Sequence, residues 1–191
     1  MAKILILDNY DSFTYNLVHY VKDYGKHTID VFRNDQIGLE EVNAYDGILL
    51  SPGPGLPHEA GNLKPIIENY YDSKRIFGVC LGQQAIAEVF NGKIYNLNEV
   101  HHGVSARVEI LQPRHYLFDG LPASIEAGRY HSWMVSMDGF PRCLNINARD
   151  DQGRIMALSH KTYDVCGVQF HPESILTPSG KEIIFNWLKK F

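Results

Sequence analysis

Cysteine is scarce in this 191-residue chain, which contains only Cys80, Cys143 and Cys166. Three cysteines cannot all pair with one another and they show no metal-ligand spacing, so the sequence argues against a disulfide framework and favours a reducing compartment. The chain also lacks any apolar run of membrane-spanning length, and the apolar run in its first residues, MAKILILDNYD, is only as long as a strand. These absences predict a cytoplasmic protein without a signal peptide.

An excess of one charge sign is also missing, because 18 Lys and Arg stand against 22 Asp and Glu, for a net charge of -4. No basic footprint is present, so we expect neither nucleic acid nor an anionic membrane as a partner. Internal repeats, low-complexity tracts and linkers are absent as well. A chain of this length and composition, 45% hydrophobic and 21% charged, is predicted to form a single domain over residues 1–191.

What the chain has instead is a regular alternation of apolar runs and amphipathic segments. Up to residue 92, strands are predicted at 4–7, 28–32, 47–50 and 76–79, and helices at 13–24, 63–71 and 81–90. Residues 93–159 predict short, partly antiparallel strands, followed by a strand at 165–170 and a closing helix at 180–190. The pattern indicates a three-layer α/β fold, with a mostly parallel central sheet, helices on both faces and a small added antiparallel sheet.

One cysteine stands in an unusual frame, GVCLG, where Cys80 lies between Gly78 and Gly82. A predicted strand precedes it and a predicted helix follows, which is the context of a nucleophile elbow, G-x-C-x-G. The sharp turn needs small neighbours, and the helix N-terminus favours thiolate over thiol. The sequence predicts Cys80 as a nucleophile, whereas Cys143 and Cys166 lack such a frame and are interpreted as structural.

A thiol nucleophile requires a base and a group that orients the base. His171 follows the last predicted strand, and Glu173 lies two residues further along in HPES. In extended backbone, side chains at i and i+2 point the same way, so we expect Glu173 to fix the tautomer of His171. Taken alone, the His-x-Glu pair is equally consistent with a solvated strand end.

Donors for an oxyanion would complete the site. The SPGPG segment at 51–55 follows a predicted strand, its glycines allow close backbone approach, and the amide of Leu81 could be the second donor. Taken alone, SPGPG is more often a rigid turn. It is not a phosphate loop, because no Gly-Lys-Ser/Thr follows and the pattern G-x-G-x-x-G fails at His58.

Metal chemistry has little support in the sequence. His-x-Glu begins the zinc-deaminase signature, but P-C-x-x-C is missing. His101 and His102 could ligate a metal, yet no further ligand stands at a suitable spacing, and a polar loop is the better interpretation. We expect no metal site.

Several segments together resemble the class I (triad) glutamine amidotransferases, and more closely the component II subunits of anthranilate synthase and of aminodeoxychorismate (para-aminobenzoate) synthase. The matching segments are LDNYDSFTYN, SPGPGLP, GVCLGQQ, HHG, RYHS and GVQFHPESILT, in the family's order between residues 7 and 177. The resemblance implies a flavodoxin-like amidotransferase fold and a glutaminase without a cofactor in this subunit. It further implies that L-glutamine is the substrate and that a chorismate-using synthase subunit (component I) is the partner.

The resemblance also implies residue roles. Cys80 would attack the glutamine amide to form a glutamyl thioester, and His171 and Glu173 would complete the triad. Substrate binding would fall to the residues that match the family's oxyanion loop, its second oxyanion donor and its glutamine contacts: Gly53, Pro54, Gly55, Leu81, Gln84, Ser132 and Trp133. The loops at 11–12 and 51–57 would meet the synthase.

Three positions depart from the family's usual pattern, which has His at Gln83, Leu at Trp133 and Met at His101. None is a triad member. The sequence leaves open whether the product is anthranilate or aminodeoxychorismate. Three alternatives also remain: an amidotransferase subunit for another acceptor, a catalytically silent scaffold of a synthase, and a free-standing γ-glutamyl hydrolase.

Overall fold

The structure is a computed structural model that describes residues 1–97 and 99–191. Within this part of the chain, one large sheet has the strand order β2-β1-β3-β4-β11-β10-β9-β6-β7. Its first five strands run parallel to one another. They are β1 (Lys3–Asp8), β2 (Thr28–Arg33), β3 (Gly47–Leu50), β4 (Arg75–Val79) and β11 (Val165–Val168).

The rest of the large sheet is antiparallel. It contains β6 (Val104–Ile110), β7 (Ser124–Arg129), β9 (Leu144–Asp150) and β10 (Ile155–His160). A separate antiparallel pair joins β5 (Ile94–Asn96) to β8 (Trp133–Val135). Both the grafted antiparallel strands and the small added sheet were predicted, and the structure confirms them.

Helices cover both faces of the parallel strands. They are α1 (Thr14–Tyr24), α2 (Leu63–Tyr70), α3 (Leu81–Val89) and α4 (Gly180–Leu188), with short 3-10 helices at Glu40–Ala44, Pro57–Glu59 and Tyr116–Phe118. Alternate side chains of a strand point to opposite faces. Accordingly, Ile4 and Ile6 lie in the core with α1 and α4, whereas Leu5 and Leu7 lie in the core with α2 and α3.

The predicted elements are present, with differences of one or two residues at their ends. Two elements end two residues early: the predicted helix 180–190 ends at Leu188, and the predicted strand 165–170 ends at Val168. Residues 169 and 170 form a bend, and the N–H of Gln169 still bonds the carbonyl of Met156 at 2.9 Å. The parallel pairing of β11 with β4 therefore ends at Val168, two residues before the predicted end and next to Cys80. The 3-10 helices were not predicted.

In the part of the chain that the structure describes, no helix combines the length and the apolar character needed to cross a membrane.

Candidate active site

Cys80 occupies a strained turn between β4 and α3. Its backbone has φ 52° and ψ -100°, in the left-handed half of φ space that a side chain rarely adopts. Its N–H bonds the carbonyl of Val168 on the neighbouring strand at 2.8 Å. The geometry is the predicted elbow: a thiol at the carboxyl end of the parallel strands and at the N-terminus of a helix.

The glycines on either side make this turn possible. A Cβ on Gly78 would lie 2.5 Å from the carbonyl carbon of Gly82, and a Cβ on Gly82 would lie 2.8 Å from the Cβ of Leu50. Both contacts are too short for real atoms, and backbone is involved in the first. Larger residues at either position would push α3 away from the sheet and carry Cys80 with it.

His171 and Glu173 are hydrogen bonded, with 2.6 Å between Nδ1 and Oε1. The predicted reason for their contact, an extended backbone, was wrong. The N–H of Ser174 bonds the carbonyl of His171 at 3.2 Å, so residues 171–174 form a turn. Pro172 takes the second position of this turn, for which its fixed φ is suited.

The environment of His171 favours its charged form. Burial alone would lower the pKa of His171, but the interactions with Cys80 and Glu173 outweigh it and hold the pKa well above its usual value of 6.5. Nε2 is buried and has no hydrogen-bond partner among the described residues. The imidazole is thus oriented through Nδ1, and Nε2 remains available for proton transfer.

Two aromatic rings hold the imidazole in place. Tyr130 lies edge-on to His171 with 4.9 Å between ring centroids, and Phe13 approaches it at 5.9 Å. The hydroxyl of Tyr130 is 3.1 Å from Oγ of Ser174, in the turn that carries Glu173. These contacts restrict rotation of the imidazole.

One pocket brings together Cys80, the predicted nucleophile, and every residue that was predicted to bind substrate. Its wall contains Cys80 and the seven positions Gly53, Pro54, Gly55, Leu81, Gln84, Ser132 and Trp133. His101 and His102, predicted to lie in a polar loop, also line it. Among the described residues, no group of three or more His, Cys, Asp or Glu side chains is placed to hold a metal ion.

The loop at 51–55 is braced by Asn9. The backbone N–H of Asn9 donates to Oγ of Ser51 and its Nδ2 donates to the carbonyl of Ser51, both at 2.8 Å. Asn34 in turn donates to Oδ1 of Asn9 at 3.0 Å. A Cβ on Gly53 would lie 2.6 Å from Asn9, so glycine is required there. This buried polar network fixes the loop beside the thiol.

A second cavity meets the pocket at the thiol. It is lined by Cys80 and His171 together with residues 10–13 and 52–54. The two loops that were predicted to meet a synthase therefore border the side of Cys80 on which His171 lies.

Trp133 contributes its backbone to the site. Its carbonyl accepts a hydrogen bond from Nε2 of Gln84 at 2.9 Å and lies 3.1 Å from Nδ1 of His131. Since any residue supplies a carbonyl, this contact is compatible with the departure from the family's usual leucine.

A buried arginine sets the tautomer of His131. Nε of Arg129 donates to Nε2 of His131 at 3.2 Å, and its guanidinium also pairs with Asp150 at 3.1 Å. Because a guanidinium nitrogen can only donate, the proton of His131 must be on Nδ1, facing the carbonyl of Trp133. Burial, followed by the nearby positive charge of Arg129, lowers the pKa of His131 to about 3.

This pKa predicts a pH-dependent loss of stability. An unfolded histidine titrates near 6.5 and the folded His131 near 3, so the unfolded state binds more protons between these values and stability falls as pH falls. Between pH 7 and 5.5 the loss from this residue is about 1 kcal/mol. In the variant His131→Asn, the free energy of unfolding should fall by about 1 kcal/mol less between these two pH values, as measured by urea unfolding at each pH. An equal fall in the two proteins would contradict the assignment.

Four residues of the site were not predicted from the sequence: Tyr130, His131, Asn9 and Gln169, whose amide lies 3.5 Å from the thiol of Cys80. Each lies within a matching segment, namely GVQFHPES, RYHS or LDNYD. Their partners are distant in the chain, so only the three-dimensional contacts reveal what they do.

Comparison with known proteins supports the same interpretation. The family profile described as "Glutamine amidotransferase class-I" matches residues 5–191. The chain is 41% identical to the aminodeoxychorismate/anthranilate synthase component 2 of Bacillus subtilis, covering 98% of this chain and 96% of that one. It is 40% identical to the anthranilate synthase component 2 of Pseudomonas aeruginosa, covering 98% and 95%.

Other similar proteins differ in length or in role. The bifunctional protein TrpGD of Thermotoga maritima is 41% identical over 98% of this chain, which spans only 32% of that protein. The crystal structure of a candidate GMP synthase subunit from Thermoplasma acidophilum aligns with a TM-score of 0.87 at 25% identity, covering 99% of this chain and 93% of that one. Because the family profile matches residues 5–191 and these relatives match nearly the whole sequence at 40–41% identity, this chain belongs to the class-I glutamine amidotransferase family.

Proposed function

We propose that this chain hydrolyses L-glutamine through a thioester on Cys80 and delivers the ammonia to a synthase subunit that aminates chorismate. The observation that carries the proposal is the convergence of Cys80 and the seven predicted substrate residues on one pocket, beside the hydrogen-bonded pair of His171 and Glu173. The proposed chemistry needs no cofactor in this chain.

In the first half of the reaction, the thiolate of Cys80 attacks the amide carbon of glutamine. The oxyanion is stabilised by the amides of Leu81 and of the Gly53 loop, since the first N–H groups of a helix have no partner within it. His171 gives its Nε2 proton to the amide nitrogen, the C–N bond breaks, and ammonia leaves. A glutamyl thioester remains.

In the second half, water replaces ammonia. His171, now neutral, takes a proton from water as the oxygen attacks the thioester carbon. The C–S bond breaks, the thiolate returns, and glutamate leaves the pocket. Glu173 stabilises the imidazolium whenever it forms.

The proposed acceptor rests on the relatives, which are named as second components of anthranilate or aminodeoxychorismate synthase. A second component implies a first, and we propose a chorismate-using component I as the partner. Either aminated product is compatible with the site.

The surface beside the site suits such a partner. Ile175, two residues after Glu173, is 94% exposed, and Tyr10 in the loop lining the second cavity is 46% exposed. Apolar side chains at the mouth of a site are typical of an interface. Ammonia released on the His171 side of Cys80 would then pass towards the docked subunit.

The test is glutamine hydrolysis by the purified chain, first alone and then with each candidate synthase subunit plus chorismate. We expect one partner to stimulate hydrolysis strongly and to yield aminated product. High activity alone without stimulation would indicate a free-standing hydrolase. Assembly with a synthase but no glutamine turnover would indicate a silent scaffold.

A pair of surface variants tests the proposed docking face. Ile175→Asp places a charge in the proposed interface and should weaken partner binding at least about tenfold, with hydrolysis by the isolated chain unchanged. The matched control is Met137→Asp, because Met137 is also exposed (48%) but lines neither the pocket nor the second cavity. Equal effects of both variants on partner affinity in titration calorimetry would contradict the docking face.

A further inference from the structure

The thiol of Cys80 has a neighbour that the triad does not include. Nε2 of Gln169 lies 3.5 Å from Sγ of Cys80. Gln169 is fully buried and follows directly after β11. We infer that Gln169 is a catalytic residue that donates a hydrogen bond to the thiolate, with its amide held in the donating orientation by Gln84. This inference rests on the proposed role of Cys80 as the nucleophile.

The orientation of the Gln169 amide follows from a fixed acceptor. The carbonyl of Trp133 can only accept, so the nitrogen of Gln84 must face it, at 2.9 Å. The same nitrogen lies 3.2 Å from Oε1 of Gln169 and donates its second hydrogen there. With its oxygen engaged, Gln169 presents only its NH₂ group to sulfur. If the Gln169 amide were reversed, its NH₂ group would face the NH₂ group of Gln84, and its oxygen would face the thiolate of Cys80.

The carbonyl of Trp133 is held in turn by His131 and, through it, by the buried guanidinium of Arg129. Arg129 fixes the tautomer of His131, and His131 donates to the carbonyl of Trp133 as well. The carbonyl therefore receives two donors and is held rigidly. In a low-dielectric interior, the hydrogen bonds of such a chain polarise and strengthen one another.

The donor serves the proposed reaction at two stages. In the free enzyme it stabilises the thiolate relative to the thiol, so that more of the protein carries the attacking form. At deacylation, the C–S bond breaks and negative charge returns to sulfur, where the same N–H stabilises the leaving thiolate. Gln84, which also lines the glutamine pocket, links substrate binding to this donor.

The experiment measures the thiolate directly, without glutamine. The rate at which iodoacetamide labels Cys80 in the full chain is followed from pH 5 to 9.5 by peptide mass spectrometry, which separates it from the half-buried Cys143. Gln169→Met removes the donor at similar volume. We expect labelling at the acid end of this range to slow about tenfold, because the charged thiolate loses one hydrogen bond.

Two further variants keep the test decisive if Gln169→Met does not fold. Gln169→Leu also removes the donor, with a smaller side chain, and labelling should slow by about the same factor as in Gln169→Met. Gln84→Met leaves the Gln169 amide in place but removes the bond that orients it, and a smaller decrease in the labelling rate is expected.

The matched control is Gln83→Met. Gln83 precedes Gln84 in the sequence and is also fully buried. Its amide atoms have no hydrogen-bond partner among the described residues, and its Cβ packs beside Gly167 rather than beside the thiol. Its labelling profile should overlay that of the native protein.

The outcomes separate this inference from the proposed function. A Gln169→Met profile that overlays the native one, even with a lower Tm, would assign Gln169 a purely structural role and overturn the inference. Glutamine hydrolysis that persists in Cys80→Ser would instead overturn the proposed nucleophile, whatever the labelling profiles show.

Discussion

Cys80→Ser should lose glutamine-dependent activity by at least about a thousandfold while its ammonia-driven activity with the synthase partner is unchanged. A serine hydroxyl remains protonated where a thiol can ionise, so the paired imidazolium no longer has an anionic nucleophile beside it. Serine fits the space and the strained turn at this position, so the fold and the partner surface should remain intact. The measurement is product formation with glutamine and, separately, with ammonium.

The ammonium reaction is the control for that result. Because ammonia bypasses Cys80, equal losses with both nitrogen sources would indicate misfolding or failed assembly rather than lost chemistry. Persistent glutamine-dependent synthesis would show that another residue is the nucleophile.

His171→Ala should slow thioester formation by about 10² to 10⁴-fold. The imidazole supplies the proton that lets ammonia leave, whereas the hydroxyl of Tyr130, the neighbouring ring, is engaged with Oγ of Ser174. Acid-quenched single-turnover experiments with labelled glutamine measure this step directly. Normal acylation with slow deacylation would contradict the assignment, since His171 serves both halves of the reaction.

Glu173→Gln should have a smaller effect, because Glu173 orients His171 and stabilises its charge but transfers no proton. The carboxylate helps hold the pKa of His171 well above its usual value. Without it the imidazolium is lost at lower pH, so the alkaline limb of the pH–rate profile should move to lower pH. An unchanged alkaline limb would contradict this electrostatic role.

The elements and the positions of Cys80, His171 and Glu173 at the ends of strands could be predicted from the sequence because their signals are local. Buried parallel strands are continuous apolar runs, and GVCLG places two glycines where the elbow needs them. Residues such as Cys80 and His171 are chemically distinctive and stand at strand ends, so their convergence follows from the topology.

The supporting contacts could not be predicted, because they join distant segments. Gln84 and Gln169 meet only because β4 and β11 are neighbours in register, and Asn9 meets Ser51 only because β1 and β3 pair. The sequence also does not show which partners a buried glutamine has. Gln83 has none among the described residues, whereas its neighbour Gln84 donates to Trp133 and Gln169. The turn at Pro172 was missed because the apolar run suggested that the strand continued to residue 170.

The most direct test of the central claim is to trap the intermediate. Labelled glutamine is mixed with the chain and its synthase partner, the reaction is quenched in acid during turnover, and peptides are analysed by mass spectrometry. The account predicts a glutamyl group on Cys80 that disappears after neutral hydroxylamine treatment and is absent from Cys80→Ser. Label on a different residue, or turnover with no label on Cys80 at any quench time, would contradict it.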